Sequence, residues 1–232
     1  MIMKSNRSLI SVVVKLLSLF ALISMPLVGY ARGEARDSLS AESKQTSKGE
    51  QTAVMAGGCF WGVDGVFKHV KGVTNVTSGY SGGSQKTAEY ETVSTGITGH
   101  AESVMITYDS SRITYSQLLK IFFLVAHDPT ELNRQGPDVG SQYRSIIFYE
   151  NDHQKKIAQN YLAELNKSKV WANPIVTEIV PFKQFHPAEG YHQNYLERNP
   201  ENPYIVFNDL PKLDELRKQF PSLYNPSPIV II

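Results

Sequence analysis

Cysteine is almost absent from this sequence: Cys59 is the single thiol in 232 residues, so no disulfide can form within the chain. An excess of charge is missing as well, with 23 Lys and Arg against 22 Asp and Glu and no basic run to mark a nucleic-acid or membrane surface. None of the histidines has the spacing of a metalloprotease helix or a cysteine partner, which argues against a metal site. No internal repeat or low-complexity tract interrupts the part that should fold. Long apolar runs are confined to one place, Leu16 to Val28, near the N-terminus.

That run reads as an export signal. Lys4 and Arg7 precede it, and Gly29-Tyr30-Ala31 follow it before the polar "RGEARDS". Lys15 shortens the apolar stretch below the ~20 residues that a spanning helix needs, so cleavage after Ala31 is favoured over a retained anchor. Processing at Ala31 would remove Lys4, Arg7 and Lys15 and leave 20 of the 23 basic side chains against 22 acidic ones. The expected location is the periplasm or the exterior. Residues 32–50 carry almost no large apolar side chains and read as a disordered linker. Residues 51–224 then form one domain, large enough to bury its own core, with 225–232 as a tail.

Within the domain, hydrophobic period separates the elements. "TAVMAG" is a short strand, and "CFWGVDGVFKHV" has Phe60, Val63, Phe67 and Val70 at helical spacing. "VTNVTSGY" is extended, and the loop "SGGSQKTAEYETVSTGITG" has no sustained period. "AESVMITYD" alternates Val104, Ile106 and Tyr108 as a half-buried strand does. "TYSQLLKIFFLVA" is an apolar helix capped by Thr114 or Ser116. After the turn-rich "HDPTELNRQGPDVGSQ", strand returns in "YRSIIFYE". A helix over 151–168 opens on Asn151 or Asp152, "IVTEIVPF" is a fifth strand, and two short helices fall in "AEGYHQNYLERNP" and "LPKLDELRKQF". The order strand, helix, strand, strand, helix, strand predicts an α+β, ferredoxin-like split βαβ plait, a two-layer sandwich with a mixed or antiparallel sheet, added helices and a C-terminal coil.

Exported proteins carry cysteines mostly in pairs, so a solitary one is a departure. Cys59 is either a small buried hydrophobe in a tight turn or a reactive thiol. Its place where a strand hands over to a helix favours the nucleophile, because the free N–H groups and the positive end of the helix dipole lower a thiol pKa. Gly57 and Gly58 would let a substrate approach the backbone, and Phe60 with Trp61 could line an apolar wall.

"GCFWG" after a short strand resembles the signature of peptide methionine sulfoxide reductases of the A type, here in a single-cysteine form. "STGITGHAESV", "HDPTELNRQGPDVGSQYRS" and "PAEGYHQNYL" resemble further blocks of that family, in order, over about Thr52 to Tyr224. The resemblance implies thiol-dependent reduction of methionine-S-sulfoxide, free or in proteins, and hence repair of oxidised protein. Cys59 would be the nucleophile and Glu102 the acid that protonates the departing oxygen, a role that needs a carboxyl kept neutral by burial. Tyr90, Asp138 and Tyr143 would bond the sulfoxide oxygen and an ordered water; Phe60 and Trp61 would hold the S-methyl group and select the epimer. Taken singly, Glu102 could be a solvated residue near a strand start, each tyrosine a packing residue and Asp138 a turn former.

His100, His127 and His192 read as structural hydrogen-bonders. His186 stands where the family pattern suggests an aromatic such as tyrosine, and Gly190 where an acidic residue is common. Attack would leave a sulfenic acid on Cys59, and with no resolving cysteine an external thiol reductant must regenerate it, such as thioredoxin or glutathione/glutaredoxin. No bound cofactor, metal, nucleic acid or membrane partner is expected, and the protein should be a monomer. Two other readings compete: a Cys–His acyl-transfer hydrolase using Cys59, a histidine and Asp138, and a periplasmic binding module whose glycines and aromatics only shape a pocket.

Overall fold

The computed structural model describes residues 49–230. The expected signal segment 1–31, the linker up to residue 48 and the last two tail residues lie outside the described residues. Glu50, which composition assigns to the linker, is instead the first residue of strand β1 (Glu50–Ala56), because it pairs with Asp109.

Helix α1 (Phe60–Lys68) follows, then β2 (Val73–Ser81), a short helix α2 (Tyr90–Val93) and β3 (Ala101–Asp109). Next come α3 (Tyr115–Ile121), a small hairpin of β4 (Arg134–Gln135) and β5 (Asp138–Val139), β6 (Ile146–Tyr149) and α4 (Asp152–Ser168). The chain ends with β7 (Glu178–Pro181), β8 (Phe185–Pro187), α5 (Tyr195–Arg198) and α6 (Leu210–Gln219). The main sheet runs β7-β6-β1-β3-β2-β8. Its four inner strands are antiparallel, with β1 and β3 in the middle. This is the split βαβ plait, extended by parallel β7 at one edge and antiparallel β8 at the other.

The pattern of β3 shows what covers the sheet. Val104, Ile106 and Tyr108 are buried under the helices, whereas Met105 and Thr107 between them are only half-buried. At its start Ala101, Glu102 and Ser103 are all buried. Here the second face is also covered, by a small cluster of Val54, Ala56, Ala101, Ile146 and Phe148 against Val180, Phe182 and Phe185. A polar residue at this end of β3 is therefore cut off from water on either face.

Thr114, rather than Ser116, starts α3: its hydroxyl accepts from the Gln117 N–H while the Gln117 side chain accepts from the Thr114 N–H, a complete capping box. Asn151 caps α4 with its side-chain oxygen, which accepts from the Gln154 N–H at 2.9 Å, while the Gln154 side chain accepts from the Glu150 N–H. The sequence predicts one helix over 114–126, but from Phe122 to Ala126 the chain takes a wider π turn and then extends at His127. The imidazole accounts for this change: its Nδ1–H donates to the Phe122 carbonyl at 3.0 Å and its ring lies against the Phe122 ring. Helix α2 and strand β8 have no sequence period to betray them; β8 spans three residues and ends on Pro187.

Candidate active site

Gly57, Gly58 and Cys59 make the turn from β1 into α1. A Cβ on Gly57 would lie 2.8 Å from Cγ of His127, and one on Gly58, at φ +88°, would lie 2.5 Å from Cγ of Gln135. These glycines thus leave room for the chain's own His127 and Gln135 side chains. Gly62, one turn along α1, does the same for the C-terminal lobe: a Cβ there would sit 2.0 Å from Oδ1 of the buried Asp209. Gly62→Ala should therefore separate α1 from α6 and lower the unfolding free energy by roughly 1–3 kcal/mol, measured by denaturant titration.

Cys59 is the N-cap of α1 and is 8% exposed. The sequence expectation of a depressed thiol pKa is corrected here. The Trp61 N–H does favour thiolate, but burial pushes the thiol well above its ordinary value, and the carboxylates of Glu102, Asp209 and Asp138 push in the same direction. The resting group is a thiol.

Glu102 points from β3 to the start of α1, where its Oε2 accepts from the Phe60 N–H at 3.0 Å. It is 3% exposed, and burial raises its carboxyl to about 8, with Asp138 adding and the Phe60 bond opposing. A neutral acid thus stands against the backbone of the residue that follows the thiol. Tyr143, at the end of the turn Ser141–Tyr143, has its hydroxyl pKa raised by burial and then by Glu102, Asp138, Cys59 and Tyr90. Tyr90, the first residue of α2, is raised by burial and by Glu102 and Cys59. Asp138, on β5, is pushed up by burial and accepts the hydroxyl of Tyr204. The five polar residues singled out in the sequence therefore share one electrostatic neighbourhood, though they come from five separate segments.

The aromatic pair divides its work. Phe60 is buried against Tyr80 and His192, at centroid distances of 5.8 and 5.0 Å. Trp61 stacks on Tyr195 at 3.6 Å, meets Tyr204 edge-on, and gives its indole N–H to Nδ1 of His192 at 3.1 Å. Below this wall, Lys68 on α1 is buried between Asp64 and Asn194, at 2.5 and 2.7 Å, which anchors the α5 segment to α1.

His127 and His100 hold the surrounding loops. The first bonds Phe122 and Ser145 and is kept neutral by burial, its pKa down to about 4; the second bonds Ser84 and the Gly83 N–H. The hydrogen bonds of His100 and His127 go to loop backbone and hydroxyl groups and that of His192 to Trp61, not to the Cys59 sulfur as a Cys–His acyl-transfer site needs. His186 fills an aromatic slot on β8, edge-on to His100 at 5.5 Å, and Gly190 has open space where a Cβ would be.

A family model described as peptide methionine sulfoxide reductase matches residues 51–223. The chain belongs to this family. It is 58% identical over 189 residues to peptide methionine sulfoxide reductase MsrA 2 of Mesorhizobium japonicum, a match covering 82% of this chain and 97% of the relative. It is 51% identical to peptide methionine sulfoxide reductase MsrA 2 of Synechocystis, over 75% of this chain and 82% of that one. Among solved structures, reduced Mxr1 from Saccharomyces cerevisiae superposes with a TM-score of 0.62 at 34% identity, covering 68% of this chain and 92% of the other. Methionine sulfoxide reductase A of Corynebacterium diphtheriae gives 0.58 at 32% identity, over 66% and 77%.

A peptide methionine sulfoxide reductase is an oxidoreductase that reduces methionine sulfoxide and so repairs oxidised protein. The site of this family member brings together a thiol, a buried neutral carboxyl, two phenols and an aromatic wall. Sequence reasoning missed Tyr204, Tyr195, Asp209 and Glu189, and read His192 as merely structural. Glu189 and His192 are three apart and are joined by a turn in which the His192 N–H donates to the Glu189 carbonyl at 2.9 Å.

Proposed function

We propose that this reductase acts on the S epimer of methionine sulfoxide through a sulfenic acid on Cys59. The observation that carries the reading is Glu102, a buried carboxyl that keeps its proton up to about pH 8 while bonded to the amide next to the nucleophile. Cys59 sulfur attacks the sulfoxide sulfur as Glu102 protonates the sulfoxide oxygen. The thiol proton returns to the Glu102 carboxylate, since each negative charge opposes the other and one proton moved keeps the site neutral. The S–O bond and the newly formed S–S bond to the substrate sulfur then both break as the oxygen joins the Cys59 sulfur, giving a thioether and Cys59–SOH. Tyr90 and Tyr143 donate to the oxygen as charge develops, Asp138 orders water, and Phe60 and Trp61 hold the S-methyl group.

One external thiol condenses with Cys59–SOH to a mixed disulfide, releasing water. A second frees Cys59 as the two external thiols become a disulfide. A thioredoxin- or glutathione-type reductant fits this role, and the N-terminal charge and apolar pattern supports export before the protein works. Ile97, Val139, Tyr191, Val206 and Phe207 are large, exposed and apolar, and each lies within a few positions of a site residue in the chain. This supports a substrate presented in an unfolded or peptide segment.

Mass spectrometry after exposure to each sulfoxide epimer tests the reading. Without thiol, the S epimer should yield one equivalent of thioether and one added oxygen on Cys59, on a chain that begins at Arg32. Added dithiothreitol or thioredoxin should restore multiple turnovers, whereas sustained turnover with no thiol would refute the recycling scheme.

A further inference from the structure

Glu189 takes no part in these steps, yet three of its contacts lead into the site. Its Oε2 accepts the Tyr80 hydroxyl at 2.9 Å and its Oε1 accepts the Tyr90 N–H at 2.8 Å. Oε2 also stands 3.9 Å from Nε2 of His192. The indole N–H of Trp61 can only donate, so Nδ1 of His192 accepts it and the proton of the neutral ring is on Nε2, the nitrogen facing Glu189. Burial opposes the Glu189 charge, but the backbone N–H groups of Tyr90 and of Glu189 itself and the Tyr80 hydroxyl outweigh it and hold the carboxyl below its ordinary range. Tyr80, for its part, pairs with Glu102 across β2 and β3 and packs on Phe60.

We propose that Glu189 is a positioning residue that fixes, from outside the pocket, both the start of the helix bearing Tyr90 and the ring that holds Trp61. One carboxylate thereby sets the distance between the group that polarises the sulfoxide oxygen and the wall that seats the methyl. The inference rests on the proposed reaction, where a displacement of about 1 Å can cost ~10²-fold in rate. Glutamine keeps one acceptor oxygen and can donate to the Tyr80 oxygen, but it loses the charge opposite His192. Alanine loses every contact.

The test compares the parent, Glu189→Gln and Glu189→Ala on a peptide carrying methionine-S-sulfoxide, with dithiothreitol as reductant. Trp61 emission is read in a Trp171→Phe background, which leaves Trp61 as the remaining tryptophan. The expected result is a kcat about 10–100-fold lower for alanine and about 3–10-fold lower for glutamine, with a shifted Trp61 emission and an unfolding midpoint near the parent's. If the alanine variant does not fold, the glutamine variant carries the same test. A parent that reduces the peptide while Glu189→Gln matches it in kcat and emission overturns the proposal. So does a loss of rate that only follows the folded fraction. A parent that reduces no sulfoxide overturns the reaction reading, and the emission arm still decides whether Glu189 sets Trp61.

Discussion

Cys59→Ser should end turnover altogether, below detection with either epimer and any reductant. The reason is chemical rather than geometric. In the proposed reaction Cys59 accepts an oxygen atom and becomes a sulfenic acid, which is an ordinary first oxidation state for sulfur. A serine oxygen in its place would have to form an O–O bond, so no stable intermediate exists to receive the oxygen. The side chain is small, buried at 8% exposure and makes no cap bond to α1, so the fold should tolerate the change. Thioether release measured by chromatography, beside an unfolding curve for the variant, checks both halves. Any catalytic turnover by a folded Cys59→Ser protein would remove Cys59 from the centre of the mechanism.

Glu102→Gln should lower the rate of the attack step by about 10²–10⁴-fold, the range of a lost general acid, and leave substrate affinity within a few-fold. The amide oxygen can still accept from the Phe60 N–H at the place where the carboxylate accepts now. In the parent, the rate should fall on its alkaline limb as pH rises through about 8, where the carboxyl loses its proton. The variant should lack that limb. Stability of the parent also falls with rising pH. A carboxyl whose folded pKa is raised from 4.5 to about 8 stays protonated in the folded state while the unfolded chain ionises. Folding is therefore progressively weakened as pH rises from 4.5 to 8, by an amount on the order of a few kcal/mol. Glu102→Gln should be free of this penalty, so its denaturation midpoint should gain on the parent's between pH 5 and pH 8. A variant of full rate, or one whose stability advantage is the same at both pH values, would mean that Glu102 is not the buried neutral acid.

Much of the scaffold is legible without coordinates. The alternation of Val104, Ile106 and Tyr108 marks β3, the capping signals at Thr114 and Asn151 mark α3 and α4, and the element order gives the plait. These features depend on neighbours within a few residues, which the sequence displays directly. The short pieces are different. Strand β8 exists because Tyr80 offers His186 an edge to pair with, and the π turn at Phe122 exists because the His127 ring reaches back to it. Nothing in "FHP" or "FFLVA" announces either.

The site divides along the same line. Sequence alone determined which atoms are available: one thiol with no partner, a carboxyl at the start of a strand, two phenols and an adjoining Phe-Trp pair. It also determined that these 232 residues hold no second cysteine to recycle the first. Only the folded chain decided the protonation of these groups. The local cue at Cys59, a helix N-terminus, favours thiolate, but burial and the carboxyls of β3, β5 and the turn before α6 reverse it. Dipoles and caps act through the nearest turn of backbone. Desolvation depends on everything packed overhead, and for Cys59 and Glu102 those layers come from parts of the chain far away in sequence.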